Sequence, residues 1–277
     1  MREYKTAVMI LAHHNIEYIY ELARANPDVY FVVHYDLKTE IDMSMIVSHG
    51  FQNLKLLENR ISVHWAGYSQ VQATLMLIEK TIEVKSIRFL HLISAECYPL
   101  VSFSEMEEEW SKSPQINYIE SHPRPDNAWR VSTWMPHANT RHMRTFWGRV
   151  LKRMLRLTSG FINTSGITTE PYYGSLWFSI TRELAEKMVS ANNSENFFSK
   201  FSRITCSDEH AFSMFVREHK ICCISDNNRR FIKFPPGGSN PCYLDIKQVV
   251  EYNNTLRAKY WFARKFTQNM MLTELKK

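Results

Sequence analysis

An α/β fold, with a mostly parallel central sheet flanked by helices, is what this sequence of 277 residues predicts. Three observations predict it. Short apolar runs recur through the first hundred residues, each followed by a segment whose apolar positions fall at helical spacing. The runs are rich in β-branched and aromatic residues, which suit a buried strand. The intervening segments are long enough for the crossovers that parallel strands require.

In chain order, Thr6–Leu11 reads as a strand and Asn15–Arg24 as a helix, with Ile16, Ile19, Tyr20 and Ala23 on one face. The Asn26-Pro27-Asp28 turn leads into a strand over Val29–Tyr35. Ile61–His64 is expected to be a short strand, and Ser69 to cap a helix carrying Val71, Leu75, Ile78 and Ile82. Ile87–Ile93 is the next strand, apolar apart from Arg88 and His91. An acidic helix over Ser104–Trp110 and a strand over Asn117–Glu120 follow. Residues 121–172 lose periodicity, and Pro123, Pro125, Pro136, Gly148, Gly160 and Gly166 surround a basic helix at about 141–156. They predict long loops built over the sheet. Gly174–Ile180 reads as a strand, Thr181–Val189 as a helix capped by Thr181, and Asp208–Glu218 and Tyr252–Gln268 as two further helices. With no repeat and no linker, residues 1–277 are expected to form one domain.

Composition excludes several classes. Hydrophobic residues at 44% rule out a disordered chain, and no run approaches the roughly 20 apolar residues of a membrane span. The formal charge of +6 is gathered at 141–156 and again from Arg257 to Lys277, giving two anion-facing patches. These cations are not interleaved in a nucleic-acid motif, so no nucleic-acid partner is expected. Five cysteines without a CxxC pair, and an N-terminus without a signal-like apolar segment, lead to the expectation of a cytoplasmic protein without disulfides.

The absent motifs also narrow the chemistry. There is no GxGxxG, GxxxxGK[ST] or GxSxG, and the Pro235–Ser239 segment is a surface turn. Eleven histidines show no HxxxH or HExxH spacing, and no Asp-x-Asp follows a strand; Glu40-Ile41-Asp42 is the nearest substitute. Ligands of parallel sheets lie beyond the C-terminal strand ends, which should gather Ala12-His13-His14, His34-Tyr35-Asp36 and Ser94–Cys97. Asp208 and Glu209 follow Ser207 at a helix start, where one acid can cap and the other serve as a base. Arg230 and Lys265 lie beside aromatic neighbours; if they converge, they suit an anionic group such as a diphosphate.

Seven segments in order resemble the Core-2/I-branching β-1,6-N-acetylglucosaminyltransferase family, glycosyltransferase family 14, which includes the peptide O-xylosyltransferases. They are Ile10–His13, Val33–Lys38, Val63–Ser69, Leu92–Leu100, Gly174–Arg182, Ser207–Glu209 and Phe262–Phe266. The resemblance implies a GT-A-type fold and inverting, metal-independent transfer from a UDP-sugar, with no cofactor. It matches Glu209 to the general base and Arg230 and Lys265 to the diphosphate-binding cations. Together with the strand-end positions it suggests His13, His34, Asp36, Trp65 and Ser94 for the donor. Glu170, Tyr172, Tyr173 and Trp177 are the acceptor-side candidates, with Gly174 permitting close approach. Residues 1–100 would mainly bind the nucleotide sugar and 101–277 supply acceptor, base and diphosphate contacts.

The implied donor is UDP-GlcNAc with a β-1,6 linkage, UDP-xylose being the alternative and a non-enzymatic carbohydrate-binding module the rival outside enzymes. An oligosaccharide, lipopolysaccharide or capsular glycan is the implied acceptor. Peripheral membrane contact is assigned to Leu256–Lys277, where Trp261, Phe262 and Phe266 lie among basic residues. One departure stands out: many relatives carry Asp where this chain has Cys97, and Gly where it has Ala95, so that contact is lost or passes to Glu96.

Overall fold

In the computed structural model, which describes residues 3–41, 50–159, 162–238 and 240–276, helices surround a seven-stranded sheet. The first unit is β1 (Thr6–Ala12), α1 (Ile16–Ala25) and β2 (Tyr30–Tyr35), followed by β3 (Leu54–Leu56), α2 (Tyr68–Ile82) and β4 (Phe89–Ser94). β5 (Cys97–Pro99), α3 (Phe103–Ser111), β6 (Asn117–Tyr118), β7 (His122–Pro123), α4 (Ala128–Ser132) and α5 (Phe146–Thr158) come next. The rest comprises β8 (Tyr172–Tyr173), β9 (Ser179–Thr181), α6 (Arg182–Glu195), α7 (Ser207–Glu218), β10 (Ile224–Ser225), β11 (Arg230–Ile232), α8 (Ile246–Thr255), β12 (Phe262–Arg264) and α9 (Gln268–Leu275).

The sheet order is β10-β6-β9-β4-β1-β2-β3. β1 pairs in parallel with both β2 and β4, β2 with β3, and β10 with β6, while β9 runs antiparallel between β4 and β6. The expectation of a mostly parallel sheet therefore agrees with the structure. Because side chains alternate along a strand, β1 sends Ala7 and Met9 into one apolar cluster and Val8, Ile10 and Ala12 into another. Both clusters draw on the two halves of the chain. Four side chains in α2 expected on one face divide accordingly, Val71, Leu75 and Ile78 being buried and Ile82 only partly so.

Several expectations are corrected. Ile61–His64 is not a strand, and the strand in this region is β3, where Leu54 and Leu56 point inward. The 61–64 backbone is tied to side chains instead: Ile61 N–H donates to His34 Nε2 at 3.1 Å, Val63 N–H to Asp36 Oδ1 at 3.4 Å and His64 N–H to Ser69 Oγ at 2.8 Å. Ser69 is thus engaged with the preceding loop, and Gly67 occupies the cap of α2. Thr181 does cap α6, accepting from Leu184 N–H. The basic helix begins later than expected, at Phe146, capped by the Thr145 side chain. Gly174–Ile180 is likewise divided, with β9 starting only at Ser179.

The largest difference lies at the C-terminal end. Tyr252–Gln268 is not one helix, because β12 interrupts it, pairing parallel with β11 and antiparallel with β5. Trp261, Phe262 and Phe266 are 0% exposed. Burying each contributes about 1.5–3 kcal/mol, so these rings hold the fold and are not presented to a membrane. The membrane contact assigned to Leu256–Lys277 is corrected on that ground.

Candidate active site

The parallel strands β1, β2 and β4 end side by side, and a cleft of about 1030 Å³ opens beyond their C-terminal ends. His13, His34, Asp36, Trp65 and Ser94 all line it. Burial holds the His34 imidazole below its usual pKa, which favours the neutral ring that accepts from Ile61 N–H. Asp36 accepts from Lys38 N–H at 3.0 Å and from Val63 N–H, so its carboxylate also anchors the neighbouring wall. Trp65 remains half exposed, with the Arg144 guanidinium 5.2 Å from its ring centre.

The acidic wall comes from the start of α7. Cys206, with a left-handed φ of 55°, occupies the cap position, so neither Ser207 nor Asp208 caps this helix as expected. Ser207 Oγ instead donates to the carbonyls of Phe201 and Ile204. Asp208 and Glu209 both face the cleft. The Asp208 carboxyl is pushed up to about 7 by burial and by the nearby Glu209 charge, and its Oδ1 has no partner in the protein. Glu209 is raised above its ordinary value by burial, partly offset by Arg130, Cys206 and Tyr173. Arg130, carried on α4, donates to Glu209 Oε2 at 3.0 Å. Burial and the Glu209 charge push Tyr173 up to about 12, keeping its hydroxyl protonated and available as a donor.

The chain segment beside this wall is closely fitted. Gly174 N–H donates to the Glu209 carbonyl at 2.9 Å. A Cβ at Gly174 would stand 2.1 Å from the Glu120 carbonyl oxygen, so only glycine permits this crossing. Gly174→Ala is expected to cost about 1–3 kcal/mol through forced displacement, measured as a lower midpoint in denaturant unfolding. Tyr173 and Trp177, two of the acceptor-side candidates, line the cleft. Glu170 and Tyr172 do not: Glu170 is exposed outside the lining, and the Tyr172 ring faces Arg217 with 5.1 Å between guanidinium and ring centre.

On another part of the lining Glu96 collects cations. His14 Nε2 lies 3.5 Å from it, Arg264 Nη2 3.4 Å and Lys265 Nζ 3.9 Å, while the Tyr243 hydroxyl donates at 3.3 Å. Burial alone would raise the Glu96 carboxyl, but the His14 hydrogen bond and the Arg264 and Lys265 charges bring it down to about 2. Cys97, in contrast, is 0% exposed, with Sγ against Ser94 Oγ at 3.3 Å; of these two neighbours, Glu96 is the one that reaches the cleft.

Arg230 is more enclosed than Lys265. It borders the cleft but is only 5% exposed. Its terminal nitrogens donate to Ser179 Oγ at 2.7 Å and to the carbonyls of Phe178 at 2.7 Å, Leu92 at 3.2 Å and Asn228. Only Nε lacks a protein acceptor. Burial lowers the guanidinium to about 9, with the nearby Cys97 and Glu120 working in the opposite direction. The side chain ties β4, β9 and β11 together.

Sequence reasoning missed Arg130 and Arg264 as site residues. Arg130 lies in a segment without periodicity, and Arg264 is adjacent to Lys265 inside a segment already singled out. Among the described residues no group of three or more His, Cys, Asp or Glu is arranged to hold a metal ion, and Asp42 of the nearest Asp-x-Asp substitute lies outside the described residues.

The sequence model of the Core-2/I-Branching enzyme family matches residues 6–254, a span that includes the strand ends and Glu209. The chain belongs to the Core-2/I-branching enzyme family. As a member it is a glycosyltransferase, moving a sugar from a UDP-sugar to a glycan acceptor. Among solved structures, the apo crystal structure of mouse xyloside xylosyltransferase 1 is similar at a TM-score of 0.40 and 8% identity, covering 96% of this chain and 98% of that one. No curated protein matches the sequence. Among the described residues of this family member, no helix is long and apolar enough to cross a membrane.

Proposed function

We propose that the cleft transfers a sugar with inversion, Glu209 removing a proton from the acceptor hydroxyl as that oxygen attacks the anomeric carbon and UDP departs. The observation that carries this reading is the placement of Glu209 and Lys265, from distant parts of the chain, on the walls of one cleft at the strand ends. Lys265 then faces the diphosphate. Arg264 supplies the second cation, since it lines the cleft with only a 3.4 Å contact to Glu96 on its terminal nitrogens, whereas those of Arg230 are committed to Ser179 and to backbone carbonyls. Such cations act mainly on the charge that develops on the leaving phosphate, the task a divalent ion performs elsewhere. His13, His34, Asp36 and Ser94 form the donor side, from residues 1–100, and Tyr173 and Trp177 the acceptor side. Aromatic faces there suit the apolar face of a sugar ring.

Two donors fit this chemistry, UDP-GlcNAc and UDP-xylose. A nucleotide-sugar panel in EDTA, followed by linkage analysis of the product, separates the possibilities. Turnover of one donor in EDTA with an inverted product is the expected result; turnover that requires an added divalent ion, or retention of anomeric configuration, would contradict the mechanism.

A further inference from the structure

Helix α5 presents its faces the opposite way round from an ordinary surface helix. At 3.6 residues per turn, Phe146, Leu157, Met154, Trp147 and Leu151 fall within an arc of about 140°, and Arg149, Lys152, Arg153 and Arg156 occupy the remainder. A helix of a globular protein turns such an apolar arc toward the core. Here Phe146 is 64% exposed, Trp147 76%, Met154 61% and Leu157 72%. The side toward the protein is formed by the buried Gly148 and the part-buried Lys152 and Leu155, with Lys152 and Arg156 standing 5.6 and 4.8 Å from the centre of the Trp129 ring. The apolar arc is therefore not used to build the fold.

Charge says what the arc fits. From Asn127 to Thr169 the chain contains seven cations, Arg130, Arg141, Arg144, Arg149, Lys152, Arg153 and Arg156, and no Asp or Glu. Arg149 and Arg153 are exposed beside the apolar arc. An apolar arc bordered by arginines without a balancing acid suits an interface that is hydrocarbon inside and anionic at its edge. The helix also adjoins the cleft: Arg141 and Arg144, which line it, immediately precede the Thr145 cap.

We infer that α5 is a membrane-docking helix, lying in the headgroup region of an anionic bilayer with Phe146, Trp147, Met154 and Leu157 immersed. The contact belongs to this internal helix and is independent of which sugar is transferred. It would hold the cleft next to the lipid surface, where an acceptor glycan carried on a lipid is presented.

The test is co-sedimentation with vesicles of phosphatidylcholine mixed with phosphatidylglycerol, and with vesicles of phosphatidylcholine alone. Binding to the mixed vesicles at low salt, weakened as salt screens the arginines, is expected. The triple variant Trp147→Ser, Met154→Ser, Leu157→Ser should bind about tenfold or more weakly, with unchanged circular dichroism. Arg149→Glu with Arg153→Glu should also lose binding, and brominated lipids should quench tryptophan emission of the native protein more than that of Trp147→Phe. Equal binding by the triple variant, or no binding at low salt, overturns the inference. A dimer in lipid-free buffer that the triple variant abolishes would overturn it too, assigning the arc to a second copy of the chain.

Discussion

Glu209→Gln is expected to lower turnover by about 10²-fold or more while UDP binding, measured by calorimetry, stays within a small factor of the native value. The amide keeps the volume and can still meet Arg130, but it cannot take up a proton. A loss of 10² in rate corresponds to roughly 2.7 kcal/mol of transition-state stabilisation. The pH dependence provides a second readout. Burial favours the protonated, neutral form of Glu209 and raises its pKa. A base must be deprotonated to act, so turnover should fall as the pH drops through that raised value, placing the acid limb above the usual carboxylate range. Asp208, at about 7 with Oδ1 unpartnered, is the internal control. Asp208→Asn should retain most of the turnover; loss in Asp208→Asn and survival in Glu209→Gln would exchange the roles of the two acids.

Lys265→Ala is expected to lower kcat by about 10²-fold as well, with a smaller rise in the KM for the donor. The reason lies in the charges around Glu96. One carboxylate, kept ionised by its partners, faces Arg264, Lys265 and His14, so positive charge is in excess there even before His14 is protonated. Lys265 Nζ is also 4.3 Å from the centre of the Tyr243 ring and is held at the cleft from both sides. A departing diphosphate gains charge as the glycosidic bond breaks, and a fixed ammonium stabilises that state more than the bound substrate. Partial recovery of kcat in Lys265→Arg would support an electrostatic role. Native kcat in Lys265→Ala, on a protein that still binds UDP, would remove Lys265 from the reaction.

The parts of this fold carried by long, regular patterns were legible in the sequence. β1, β2, β4, α1 and α2 show apolar periodicity over enough residues to identify their type, and their order implies where the strand ends meet. His13, His34, Asp36, Trp65 and Ser94 were placed at the cleft by that reasoning together with the family resemblance. What stayed hidden depended on partners distant in sequence. β12 has three residues, and it is a strand because Cys97–Pro99 and Arg230–Ile232 pair with it on either side. The cap at Cys206 adopts a left-handed conformation with no residue-type signal, and Arg130 reaches Glu209 from a segment without period. Arg230 illustrates a different limit: its sequence neighbours resemble those of an anion-binding arginine, whereas its burial and backbone acceptors are apparent only in three dimensions.

The crossing at Gly174 has a practical consequence for exchanging the 121–173 insert between relatives. The peptide leaving Tyr173 touches the Glu120 carbonyl on one side and is hydrogen-bonded to the Glu209 carbonyl on the other, so both junctions of the intervening insert close on the same spot. A chimaera grafted at 121 and 173 must carry a matching pair of seams with it. Grafts that keep the glycine, the backbone path of Glu120 and an arginine at the place of Arg130 should leave Glu209 in position beneath a foreign loop, while cuts placed inside this junction would misalign it whatever the new loop recognises.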